Sequence, residues 1–208
     1  MNFLCLLGWS PKDDREKMAI KDIIALFDLP AVNQSNARFD EKKLAHMNMV
    51  YLHELPAEAF YERAKAYLVA EGFFASGLPE EAYLRSVLGI CQVKVRSIED
   101  LKGFIGYFFS EDFPIDAKAR DKIFSKGDPK ARLAELRTAL ASADFSSDAA
   151  LEAVVQGLAT AHGTATGDYI HPGRLAVSGT SVGPSFYGLY RVLGRDRVLA
   201  RIDRLIAG

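Results

Sequence analysis

Residues 79–91 read Pro79-Glu-Glu-Ala-Tyr-Leu-Arg-Ser-Val-Leu-Gly-Ile-Cys91. Tyr83, Leu84, Val87, Leu88 and Cys91 recur at the three- and four-residue spacing of one helical face, and Pro79 stands where a helix opens. The pattern continues downstream. Ser97 and Asp100 have the spacing of a capping box, followed by a helix through Leu101, Phe104, Ile105 and Phe108. Ser110 to Pro114 is a short acidic connection. Three more amphipathic helices are predicted over 117–124, 129–143 and 147–162. The Gly- and Thr-rich Gly163 to Gly167 leads to a helix over 169–177. Pro184 starts a short helix ending at Gly194, and residues 196–206 supply the last.

Upstream the same period holds. Pro56 opens a helix whose face is Phe60, Ala64, Tyr67 and Leu68, and Gly72 to Gly77 breaks it. Asp40 is the expected N-cap of a helix burying Leu44, Met47, Val50 and Tyr51. A polar loop, Asn33 to Asn36, precedes it. Met18 to Leu29 places Ile20, Ile23, Ile24 and Phe27 on one face before Pro30. The apolar Met1 to Trp9 reads as the tail of an element that began earlier. No segment alternates at period two for long enough to demand a sheet. The expected fold class is therefore mainly α: a helical bundle preceded by a small helical region, with at most a short strand pair near the start.

With 208 residues, 49% hydrophobic and 25% charged, the chain is long enough to fold without metals or disulfides. Cys5 and Cys91 read as reduced core residues, since neither has a Cys or His at zinc spacing. His46, His53, His162 and His171 lie far apart, so no metal site is expected. No apolar stretch reaches the ~18 residues of a membrane span, and the N-terminus resembles no secretory leader. A nucleophile elbow and a phosphate loop are both missing from the sequence; Gly163-Thr-Ala-Thr-Gly167 lacks the Gly-Lys-Ser/Thr ending of the latter. The carboxylate pairs Asp13-Asp14, Glu80-Glu81 and Glu111-Asp112 fall at helix starts or turns, where capping explains them.

Net charge is −1, yet after Tyr169 six arginines (Arg174, Arg191, Arg195, Arg197, Arg201 and Arg204) face only Asp196 and Asp203. Such a local surplus attracts phosphate, and a favourable helix dipole accounts for it equally well. Composition and spacing stop at a helical protein with a basic end.

Four strings, in order, resemble the glutamyl-tRNA synthetase family of bacterial type. Asn2-Phe-Leu-Cys-Leu-Leu-Gly-Trp-Ser10 with Asp14-Arg-Glu16 is similar to the segment following that family's second ATP-binding signature. Phe39-Asp40, Lys43-Leu44, Met47-Asn48 and Tyr51-Leu52 resemble the next landmark, and Tyr107-Phe-Phe-Ser-Glu-Asp-Phe113 the third. His171-Pro-Gly-Arg-Leu-Ala-Val-Ser-Gly179 with Gly183-Pro184 and Leu193-Gly194 is similar to the closing Pro-Leu-Arg-x-Ala-Leu-Thr-Gly, Gly-Pro and Leu-Gly pattern.

The resemblance implies the C-terminal, tRNA-binding part of such an enzyme. It would comprise a stem-contact region over 1–55, then an α-helix cage of two anticodon-binding subdomains, 56–116 and 117–208. The family's His-Ile-Gly-His and Lys-Met-Ser-Lys-Ser strings do not occur in the chain. No catalytic residue is therefore expected here, and ATP and magnesium belong to a catalytic domain upstream. The implied partners are glutamate tRNA and that catalytic domain, in a cytoplasmic monomer.

Unpaired anticodon bases can be read by stacking and by donors to their edges. By resemblance Lys94, with Arg96 two residues on, takes the place of the arginine that reads the last anticodon base. Arg174 is the arginine of the closing motif, and Gly183 and Phe186 line the same pocket. Departures bear on this: Lys94 lacks the planar fork of arginine, Gly173 replaces a usual leucine, and His46 and Met49 replace Trp and Gly. The competing reading is a helical docking module, motivated by the apolar Phe3, Leu4, Leu6, Leu7 and Trp9.

Overall fold

A computed structural model of the protein describes residues 1–13, 15–33, 37–75 and 77–208. Asp14, residues 34–36 of the polar loop and Ser76 of the glycine break lie outside the described residues, so the Asp13-Asp14 pair is only half seen. Among the described residues there are twelve α-helices, two 3-10 turns and no strand. The strand pair allowed near the start does not form. That stretch coils instead into α1 (Asn2–Cys5), with Cys5 and Trp9 donating to the carbonyls of Met1 and Cys5. None of the described helices is long and apolar enough to cross a membrane.

The chain forms two compact units, Met1–Leu55 and Pro56–Gly208. The first holds α1, α2 (Ile20–Leu26) and α3 (Glu41–His53), with a 3-10 turn at Leu29–Ala31. Trp9, Met18 and Ile23 make its small core, with Cys5 and Leu6 packed against them. The buried amide of Asn2 fastens it. Asn2 Nδ2 donates to the Glu16 carbonyl at 2.9 Å, and Asn2 Oδ1 accepts from Met18 N at 2.9 Å and from the Tyr51 hydroxyl at 2.7 Å. Asp40 caps α3 as expected, accepting from Lys42 N and Lys43 N. The face assigned to α2 is largely wrong. Only Ile23 is buried, whereas Ile20 and Ile24 stay exposed, because a core of this size covers one side of a two-turn helix. On α3, Met47 and Leu52 are buried while Leu44 and Tyr51 are exposed.

The second unit contains α4 (Ala57–Ala70), α5 (Glu81–Cys91), α6 (Leu101–Phe109), α7 (Ala117–Phe124), α8 (Pro129–Leu140), α9 (Asp148–Ala161), α10 (Gly167–Ser178), α11 (Phe186–Leu193) and α12 (Arg195–Ala207). The face read in α5 is inward: Leu84, Val87, Leu88 and Cys91 are all buried, with Tyr83 half-buried. The capping box joins Ser97 and Asp100 in both directions, and Asp116, Asp128 and Ser147 cap α7, α8 and α9. α10 is the hub, packing on α6, α7, α8, α9 and α12, while α11 lies against α5, α9 and α12.

The acidic connection after α6 is a clamp. Arg201 of α12 is fully buried, and its guanidinium donates to Glu111 Oε1 and Oε2 and to the carbonyls of Val177, Tyr107 and Ser110 at 2.6–3.2 Å. Arg197 and Arg204 reach the same carboxylate. These hydrogen bonds, with that of Arg201 foremost, hold the Glu111 carboxyl down at about 2. Arg191 pairs with Asp148, and Arg195 donates to the Ala143 carbonyl and lies over the Phe145 ring. Five of the six arginines after Tyr169 thus bond within the fold.

Candidate nucleic-acid interface

The sixth arginine is different. Arg174 projects from α10 toward the start of α11 and the end of α6, where Tyr107 and Tyr190 flank it. It makes no ion pair or side-chain hydrogen bond to any described residue. Its Nη1 is buried without a partner, as are the hydroxyls of Tyr107 and Tyr190. Burial pulls the Arg174 pKa below the ordinary arginine value, and the two phenols oppose that shift only in part. The same burial drives both phenol pKa values up, most strongly that of Tyr190. Arg174 as a whole is half-buried, so an edge of its fork faces outward. A charge taken from water without an anion or acceptor raises the free energy of the fold, and such groups are otherwise paired.

Three glycines shape this site. Gly179 ends α10 at φ +72, and a Cβ there would lie 2.1 Å from the Pro114 carbonyl oxygen, so the turn that aims the following loop requires glycine. A Cβ on Gly183 (φ +155) would sit 3.2 Å from Arg174 Nη1 and 3.4 Å from the Tyr107 hydroxyl; a bare backbone lets the loop pass this close to the guanidinium. A Cβ on Gly173 would come within 2.6 Å of the Tyr190 hydroxyl. The phenol therefore occupies room that a leucine at 173 would fill, which is the physical counterpart of that departure.

Arg174 and Gly183 are brought together as the resemblance implied. Phe186 is beside them but buried: its ring centroid lies 4.2 Å from that of Tyr190, and its edge 3.1 Å from where a Gly173 Cβ would stand. It walls the site and offers little face for stacking. Lys94 and Arg96 lie outside this cluster, on the exposed turn after α5. Lys94 N bonds back to the Cys91 carbonyl and Arg96 N donates to Asp100 Oδ2 at 2.7 Å. Cys91 links the two groups. Its thiol is pushed up to about 12 by burial, and it is close enough to Tyr107 to raise that phenol further.

Tyr107 and Tyr190 escaped the sequence reading as site residues. Tyr107 lies inside a quoted landmark, and Tyr190 follows Phe186 by four on the buried face of α11. A tyrosine on an otherwise apolar stripe was the available signal.

Fold and site together define an all-α module that keeps a half-buried cation unpaired at a helix junction. A family model for the anticodon binding domain matches residues 59–206, and the chain belongs to that family. Along nearly its whole length it is similar to glutamate–tRNA ligases. It is 36% identical over 207 residues to that of Moorella thermoacetica, covering 98% of this chain and 42% of the relative. It is 35% identical over 206 residues to that of Methylacidiphilum infernorum, covering 99% and 46%. The crystal structure of a glutamate tRNA ligase from Elizabethkingia meningosepticum, in complex with its amino acid, matches with a TM-score of 0.82 at 26% identity, over 99% of this chain and 40% of that one. The chain spans less than half the length of these relatives.

Proposed function

We propose that this chain binds glutamate tRNA and reads unpaired bases of its anticodon, with Arg174 as the central donor. The observation that carries this is the Arg174 guanidinium, desolvated yet left without an acceptor by every described residue. A base carbonyl or ring nitrogen supplies the missing acceptor. Gly183 leaves room for that base, Phe186 backs the pocket, and Lys94 and Arg96 extend the contact along the turn after α5. Residues 1–55 act as the stem-contact region, with 56–116 and 117–208 as the two anticodon-binding subdomains. Attaching glutamate with ATP and magnesium is assigned to a catalytic domain of the same polypeptide, since neither ATP-binding signature occurs among these residues. The setting is the cytoplasm, and the protein works as a monomer.

Titration of a glutamate tRNA transcript and an unrelated tRNA by fluorescence anisotropy tests the reading. Tight, salt-sensitive binding of the first is expected, with Lys94→Ala weakening it by ~1–3 kcal/mol if the lysine touches a base edge. Equal weak binding of both tRNAs would sink it. A second reading has one observation in its favour: Leu4, Ile20, Ile24 and Leu29 are exposed on the first unit, and such apolar surface marks docking. Light scattering separates it, since self-association that is abolished by Ile24→Glu supports a docking role.

A further inference from the structure

Three hydrogen-bond donors meet at the Arg174 site, and no described residue answers any of them. They are the guanidinium Nη1 on α10 and the hydroxyls of Tyr107 on α6 and Tyr190 on α11, all buried without a partner. The two tyrosines are 5% and 1% exposed. Gly183 brings two of the donors to one place. From the position its Cβ would take, Nη1 lies at 3.2 Å and the Tyr107 hydroxyl at 3.4 Å, and apart from the flanking residues no other described atom comes within 4 Å. One acceptor on that side of the loop can therefore meet both. Tyr190 approaches by way of the residue before Arg174: its hydroxyl stands 2.6 Å from where a Gly173 Cβ would be. A leucine there would exclude that hydroxyl, so the third donor is a property of this chain.

What the site lacks is negative charge. Glu111, in the turn after α6, is taken by Arg197, Arg201 and Arg204, and Asp148 at the start of α9 by Arg191. No carboxylate of a described residue pairs with Arg174. A water would accept from one donor and leave the guanidinium uncompensated, whereas buried charges are otherwise neutralised by a counter-charge. The surroundings set the size and kind of the missing ion. The Phe186 ring lies against that of Tyr190, and Leu136 Cδ2 and Phe186 Cε2 come within 3.0 and 3.1 Å of the Gly173 Cβ position. Apolar walls and buried donor atoms admit a compact, weakly hydrated ion. They turn away a phosphate, whose several oxygens and greater charge need more donors than these.

We propose that Arg174, Tyr107 and Tyr190 hold one small monovalent anion, of the halide class, in the RNA-free protein, and that RNA must expel it to reach Arg174. The anion site stands on these donors alone; the expulsion rests on the Arg174 reading. All three groups donate, the guanidinium through N–H and the phenols through O–H, so each gains a partner and the charge is compensated. The anion stabilises the free protein and competes with a base edge for the same Nη1. RNA binding thereby depends on which salt anion is present, over and above the ionic strength that governs phosphate contacts.

The test uses the whole chain at fixed ionic strength, with sodium chloride replacing sodium gluconate, whose anion is too large for the site. The melting temperature of the parent should rise along a saturation curve, by about 3–5 °C at ten times the dissociation constant. Arg174→Met should show no such rise, and it supplies the background for non-specific salt effects. Its stability advantage over the parent, measured in gluconate, should shrink as chloride is added. Tyr107→Phe keeps the ring and removes one donor, so about tenfold more chloride should be needed for the same shift. Glutamate tRNA, titrated by anisotropy in the same series, should bind the parent about tenfold more weakly at ten times the chloride dissociation constant, and Tyr107→Phe should blunt that loss. Chloride that shifts the parent and both variants alike overturns the anion site, whether or not tRNA binds. Saturable stabilisation with tRNA affinity unchanged overturns the expulsion. Stabilisation by chloride in a parent that binds no tRNA even in gluconate overturns the Arg174 reading and the expulsion with it, and upholds the anion site.

Discussion

Replacing Arg174 by methionine should make the protein more stable and less able to bind RNA. The substitution keeps an unbranched apolar stem and removes the charged guanidinium. In the parent, Nη1 is buried with no acceptor and the guanidinium is partly desolvated. A buried donor left unsatisfied costs ~1–3 kcal/mol. Because Arg174 is only half-buried, the lower end applies, and Arg174→Met should gain ~1 kcal/mol, or ~2–4 °C in melting temperature for a unit of this size. The same change removes a base-edge donor and should weaken tRNA binding by ~1–3 kcal/mol. Arg201→Met is the control, with the opposite sign. It leaves the buried carbonyls of Val177 and Tyr107 without donors and Glu111 without its main partner, a loss of ~3–5 kcal/mol. Differential scanning calorimetry and anisotropy on the same preparations measure both effects. If Arg174→Met melts several degrees lower than the parent, or binds tRNA equally well, then Arg174 is an ordinary structural arginine and the argument for an RNA contact fails.

Glu111 predicts an acid limb. Its carboxyl is held at about 2 against an ordinary 4.5, so its contribution is complete above about pH 4.5 and fades as pH falls through 2. The side chain is half exposed, and solvent screening leaves ~1–2 kcal/mol. The gap between urea midpoints at pH 6 and pH 2.5 should therefore be narrower in Glu111→Gln than in the parent; a parent-like gap in that variant contradicts the clamp. Gly173→Ala drives a methyl against the Tyr190 hydroxyl and should cost ~1–3 kcal/mol by overpacking. Tyr190→Phe in the same chain should restore part of it. Urea denaturation of the single and double variants checks this, and additive losses would refute the direct clash.

What could be read from the sequence was local. Asp40 and the pair Ser97 and Asp100 announce helix starts because a cap and its target N–H lie within three residues. The inward face of α5 followed from spacing because a large unit surrounds it. The same rule failed at Ile20 and Ile24, where the small core of Trp9, Met18 and Ile23 leaves most of α2 uncovered. The arginine surplus after Tyr169 was visible, but its meaning was not. Whether an arginine is spent on the fold depends on acceptors some ninety residues earlier, in the turn around Glu111. Arg174 was singled out through family resemblance alone. That it is unpaired follows from the convergence of α6, α10 and α11, which no spacing announces, and Tyr107 and Tyr190 entered the site for the same reason.

The clamp at Glu111 also bears on the order of folding. One carboxylate near the middle of the second unit waits for three arginines spread along α12, at sequence separations of 86, 90 and 93. A ribosome that has delivered α6 but not α12 presents that turn with its acceptors unanswered, and closing so long a loop is slow. Such a nascent chain should remain sensitive to protease around Glu111 until Arg201 has emerged, and become resistant in one step thereafter.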